Sequence, residues 1–139
     1  MEAVLHSGPV LYTAATLLLM PAVIALRRNW RLHAALMGLV ILGDLAMPFY
    51  LYATRDWYRR LIEQGELFGF LIWMHVALVF VLYGLYYQQV RTGRRLAATG
   101  EAEQRAAHRA QARAILGTRL LVLLTGALLV EPAEDPVAE

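Results

Sequence analysis

The chain reads as an all-α integral membrane protein, a four-helix bundle forming a single domain over residues 1–139. Three observations predict this class. Of 139 residues, 59% are hydrophobic and only 17% charged, whereas soluble domains carry about a quarter charged residues. The apolar residues gather into four runs, at about 9–26, 33–52, 68–88 and 112–130, each close to the roughly 20 residues a helix needs to cross hydrocarbon. None of the runs alternates apolar and polar residues as a barrel strand does, and only helices or closed barrels leave no backbone group unpaired in lipid.

The first run follows a segment holding Glu2 and His6 but no basic residue. That pattern predicts a retained helix rather than a cleaved signal peptide. The second run opens on His33 and contains Asp44 and Pro48. Proline is tolerated inside membrane helices, so Pro48 here and Pro21 in the first run predict kinks rather than breaks. Trp30 before the second run, and Trp57 and Tyr58 after it, have the amphipathic rings that favour the membrane–water boundary. The third run carries Trp73, Met74 and His75, then a stripe of Leu78, Leu82, Leu85 and Tyr86 that reads as packing or lipid contact. The fourth contains Arg119 and Thr125. It is preceded by an alanine-rich segment of mixed charge, 101–113, expected to continue it helically near the headgroups. The acidic, proline-containing tail 131–139 reads as disordered. Gly38, Gly43, Gly69, Gly84, Gly117 and Gly126 permit close helix approach.

Arginine sets the expected orientation. Three arginines lie in 27–31 and six in 91–113, against Arg55, Arg59 and Arg60 in the remaining connection. The positive-inside rule then places both basic connections in the cytoplasm and both termini outside. Arg27, Arg28, Arg31, Arg94 and Arg95 are expected to meet anionic lipid headgroups. The charge is too short and too membrane-bound for nucleic acid. The absence of cysteine removes disulfides, thiolate metal sites, iron–sulfur clusters and cysteine nucleophiles. No phosphate-binding glycine loop, zinc-protease helix or serine elbow occurs, which predicts a non-enzymatic protein. Four helices of this length enclose only a narrow interior, which argues against a large transport cavity unless the chain oligomerises.

Function is sought at the ionisable residues, because a charged side chain at mid-membrane costs about 2.5–3.5 kcal/mol on insertion scales and is normally paired or functional. Counting a helical rise of about 1.5 Å per residue puts Asp44 about 12 Å, His75 about 10 Å and Arg119 about 16 Å from the outer ends of their runs. Asp44, His75 and Arg119 are therefore expected to form one intramembrane polar cluster. It reads either as a structural ion pair between Asp44 and Arg119 or as a proton or ligand site. His33 and His108 form a second level at the cytoplasmic edge. They read as interfacial residues or, if their imidazoles converge, as ligands of a metal or haem. His75 reads as a packing residue or a ligand, and Met20, Met47 and Met74 offer thioethers that suit copper.

These residues carry a resemblance. Arg31-Leu32-His33-Ala34-Ala35-Leu36-Met37 opens a helix, His75 sits in the next, and His108-Arg109 precedes a last helix bearing Thr125-Gly126. Over about 9–130 the chain resembles a bacterial family of small four-helix membrane proteins, some of them linked to maturation of haem–copper terminal oxidases. The resemblance implies that His33, His75 and His108 are the positions to carry over. The chain departs from that pattern twice. No histidine ends the second helix, where Phe49 to Arg55 stand, and Asp44 replaces a small polar residue. Asp44 thus either substitutes for a lost ligand or pairs with Arg119. Together these readings predict an accessory or assembly protein of a respiratory membrane complex, handling haem or copper and bound to larger subunits or to its own copies. The alternatives are a small b-type cytochrome holding haem b through its histidines, a purely structural subunit, and, more distantly, a proton-coupled carrier.

Overall fold

Helix α1 spans Gly8–Ala25, with Pro9 in its first turn, where its missing N–H costs nothing. A single 3-10 turn, Leu26–Arg28, closes it. Asn29 then caps α2, Trp30–Thr54, its side chain accepting from Leu32 N at 3.3 Å. Helix α3 spans Glu66–Thr99 and α4 Ala102–Leu128. This computed structural model describes residues 7–56 and 66–130. Trp57 and Tyr58, Arg59 and Arg60, His6 and the acidic tail lie outside the described residues.

All four helices are long and apolar enough to cross a membrane. Their outer faces carry large apolar side chains left uncovered by the bundle: Leu18 is 80% exposed, Phe49 77% and Phe80 70%. A surface of that kind marks contact with lipid or with other membrane proteins. The chain accordingly has the helix lengths and apolar surface of a multi-pass helical membrane protein. Inside, Met20, Leu82, Tyr86 and Ile115 form the core, with Met37 and Ile41 of α2 packed against it. Sequential helices run antiparallel. Tyr12 of α1 meets Val40 of α2, His75 of α3 meets Thr125 of α4, and Gln89 meets His108. Thr16 meets Arg119, which brings α4 back against α1 and closes the ring.

The sequence places a basic connection at 91–113; most of it is helix. Helix α3 runs eleven residues past the expected end at 88, and α4 begins ten before 112. Only Gly100 and Glu101 separate them. Gly100 takes φ +68°, a left-handed conformation that glycine adopts without strain, and its N–H donates to Leu96 O at 2.9 Å. That is the usual helix stop at a glycine. Arg105 Nη2 donates to the freed Gly100 O at 3.2 Å and fastens the turn. The arginines of this segment therefore project from a rigid helical hairpin. At 34 residues α3 is about 51 Å long, well beyond the roughly 30 Å of hydrocarbon.

Candidate functional site

At the centre of the bundle Arg119 is 1% exposed, the most deeply buried large side chain among the described residues. A guanidinium cannot shed its charge, so burial obliges it to find acceptors. It finds them on the other three helices. Arg119 Nη1 contacts Asp44 Oδ2 of α2 at 2.8 Å and donates to Tyr86 Oη of α3 at 3.1 Å. Nη2 donates to Thr16 Oγ1 of α1 at 2.5 Å. Tyr86 in turn donates its hydroxyl to Asp44 Oδ2 in a short hydrogen bond. Thr16 gives its own hydrogen back to Tyr12 O at 2.8 Å, which leaves its oxygen free to accept. One ion pair and two hydroxyls thus tie all four helices together.

Proline shapes the same spot. Pro48 has no N–H, so the carbonyl four residues back, that of Asp44, lacks its helical donor. Tyr83 Oη donates to that carbonyl at 3.0 Å. Tyr83→Phe should therefore strand a carbonyl and lower stability by about 1–3 kcal/mol. Tyr86→Phe, which leaves the ion pair one hydroxyl short, should cost at least as much. Unfolding of each variant in mixed detergent micelles measures both.

His75 does not join this network. Its Nδ1 lies 2.8 Å from Thr125 Oγ1, farther along α4 from Arg119. Thr125 gives its one hydrogen to the backbone of its own helix, to Leu121 O at 2.8 Å, so the neutral imidazole donates from Nδ1 and its Nε2 is bare. The ring packs against Gly126, where an added Cβ would stand 3.3 Å from His75 Cε1. The structure therefore brings together two of the three expected partners, Asp44 and Arg119, and gives His75 a separate contact.

At the second level each histidine has its own partner. His33 Nδ1 donates to Val23 O at 2.9 Å, which leaves Nε2 bare in the neutral ring. His33 lies within electrostatic range of His108. His108 Nε2 sits 3.2 Å from the Gln89 amide nitrogen. Around it, Gln89 Oε1, His108 Nδ1 and Gln111 Oε1 are buried without a partner; the other such atom among the described residues is Arg119 Nε. Turning the Gln89 amide over lets its oxygen accept from His108 Nε2–H and bares Nδ1 instead. In either orientation His108 Nδ1, one end of the Gln89 amide and Gln111 Oε1 stay buried without a partner, beside the half-buried His33. Gly93 packs against the ring, where a Cβ would stand 3.2 Å from His108 Cε1 and 3.6 Å from Nδ1, so a side chain there would crowd the imidazole.

No protein-family model matches the chain, and no curated protein or solved structure matches it either. The family resemblance of His33, His75 and His108 thus stands on those residues alone.

The donor set itself tests the fit of a metal or haem. Among the described residues no three of His, Cys, Asp and Glu form a group that could hold a metal ion, so a metal at the second level would have to be held by His108, neighbouring amide oxygens and at most the second imidazole of His33. An imidazole nitrogen and amide oxygens are donor types that a single ion takes. They do not suit a porphyrin, because the same atoms are sealed by close packing. Two grooves open to the surface contain no histidine. Arg94 and Arg95 line one and Arg27 the other; Arg28 and Arg31 line neither and are exposed. Sequence reasoning treated Tyr86 as packing and passed over Thr16. The available signal was chemical: a tyrosine hydroxyl at mid-membrane must find a partner.

Proposed function

We propose that this chain is a non-enzymatic accessory protein of a larger bacterial inner-membrane complex, of the haem–copper oxidase type, and that it handles a metal ion at the His33–His108 level. Its termini face outward under the same arginine rule that governs the sequence. The observation that carries the metal reading is the set of buried polar atoms of Gln89, His108 and Gln111 that lack a partner. Buried polar groups are nearly always satisfied, and an imidazole nitrogen with amide oxygens is a donor set that a bound cation would satisfy. Imidazole nitrogen favours copper or zinc over magnesium or calcium. The carbonyl of Val23 orients His33, and the Gln89 amide orients His108, as outer partners commonly fix metal-binding histidines. The assembly role draws its support from the family resemblance.

A second reading has its own support for the other cluster. In the Asp44–Arg119–Tyr86–Thr16 network both terminal nitrogens of Arg119 are taken by its own members and only Nε lacks a partner, which favours a structural lock there over a ligand site.

The test is the metal and haem content of the full chain purified in mild detergent. About one copper or zinc per chain is expected, falling to background in the His33→Ala/His108→Ala variant and unchanged in His75→Gln. Co-purification of oxidase subunits with the wild type checks the partner. Equal metal in the double variant sinks the metal reading. A Soret band that disappears with these histidines would establish the b-type cytochrome instead.

A further inference from the structure

The two clusters above lie inside the bundle. A third feature lies on its surface and is independent of the proposed function. Where the 3-10 turn after α1 passes α4, an open groove of about 430 Å³ runs between the two helices. Its rim carries Arg27 from the turn and Arg109 and Arg113 from α4; its floor is Ile24, Ala106, Ala112 and Leu116. Arg109 and Arg113 are four residues apart, hence on one face of the helix. No acidic side chain pairs with any of the three among the described residues. Three fixed positive charges therefore converge without a counter-charge. They do so where α4 passes from its charged first half to its apolar second half.

We propose that this groove is a binding site for an anionic phospholipid, with the phosphate held by Arg27, Arg109 and Arg113 and the start of an acyl chain lying along Ile24 and Leu116. Arginine forks match phosphate oxygens bidentately, and two of them from one helix with a third from its neighbour surround a phosphate on two sides. The apolar floor decides between a lipid and a free anion. A soluble phosphate leaves Ile24, Ala112 and Leu116 uncovered, whereas a lipid covers them with its own chain. The other arginine-lined groove differs on this point. Its lining, Tyr87, Val90, Arg91, Arg94 and Arg95, comes from one face of α3 alone, so it offers a charged strip with no second wall.

Native mass spectrometry of the full chain, released from neutral detergent after incubation with phosphatidylglycerol or phosphatidylcholine, reads the site directly. The wild type should retain phosphatidylglycerol in clear preference to phosphatidylcholine. Each arginine near an anionic headgroup contributes roughly a five-fold gain in affinity, so Arg27→Gln/Arg109→Gln/Arg113→Gln should weaken retention on the order of a hundredfold. Arg91→Gln/Arg94→Gln/Arg95→Gln removes the same charge elsewhere and should leave retention within about five-fold of wild type. Millimolar inorganic phosphate should not displace the lipid. Far-UV circular dichroism and elution volume check folding; if the triple variant misfolds, Arg109→Gln alone should still show the roughly five-fold loss. The proposal is overturned by undiminished binding in the groove variant or by an equal loss in the α3 variant. Equal retention of phosphatidylcholine also overturns it, and displacement by phosphate would mark a small-anion site in its place.

Discussion

Arg119→Gln should lower the unfolding free energy by about 3–5 kcal/mol, the largest single-residue effect in this chain. The reason is what remains behind. Asp44 keeps a carboxylate 10% exposed, now without its cation, and Tyr86 and Thr16 lose the donor that linked them to α4. Asp44→Asn should cost a similar amount, because a guanidinium that cannot neutralise itself is then buried opposite a neutral amide. The double variant Asp44→Asn/Arg119→Gln removes both charges together. It should be more stable than the sum of the single losses predicts, by roughly 1–3 kcal/mol of coupling. Reversible unfolding in mixed micelles gives all four corners of the cycle. Strict additivity would show that the contact contributes nothing as a pair, and the lock reading of the network would fall with it.

The four spans were legible because hydrophobic length is a strong signal, and the partnership of Asp44 with Arg119 was legible because two buried opposite charges have few other options. The depth of His75 was not. Counting from the ends of the apolar runs assumes that neighbouring helices start at one plane. They do not. Asp44 lies ten residues before the end of α2, whereas its partner Tyr86 lies twenty residues into α3. Helix α3 therefore extends about 15 Å beyond the end of α2, and His75 rides out with it to the level of Thr125. Register of this kind is set by which side chains meet, not by composition. Tyr86 shows the same limit from another side. Its position in a leucine stripe is correct, since it is part of the core, yet its hydroxyl is what joins that core to the ion pair. Tyr83 answers a carbonyl that Pro48 frees; the sequence discloses the vacancy but not which residue fills it.

Two glycines of α2 should respond to the same substitution with opposite signs. At Gly38 an added Cβ meets nothing within 4 Å, so Gly38→Ala should be neutral or stabilising by up to about 1 kcal/mol, the difference in helix propensity. At Gly43 the Cβ would overlap the Tyr12 hydroxyl and stand 2.9 Å from Cζ of that ring. Either the ring turns away or α1 and α2 separate. The first gives up the hydrogen bond from Tyr12 to Val40 O and uncovers one side of Asp44, which Tyr12 faces. The second pulls Thr16 from Arg119. Both routes are overpacking, and Gly43→Ala should cost about 1–3 kcal/mol. Tyr12→Ala placed in the same chain removes the obstacle, so Gly43→Ala should then cost little beyond what Tyr12→Ala costs alone. If Gly43→Ala is tolerated as well as Gly38→Ala, the close approach of α1 to α2 is not what positions Asp44, and the ion pair must hold its geometry through the contacts of α2 with α3 and α4.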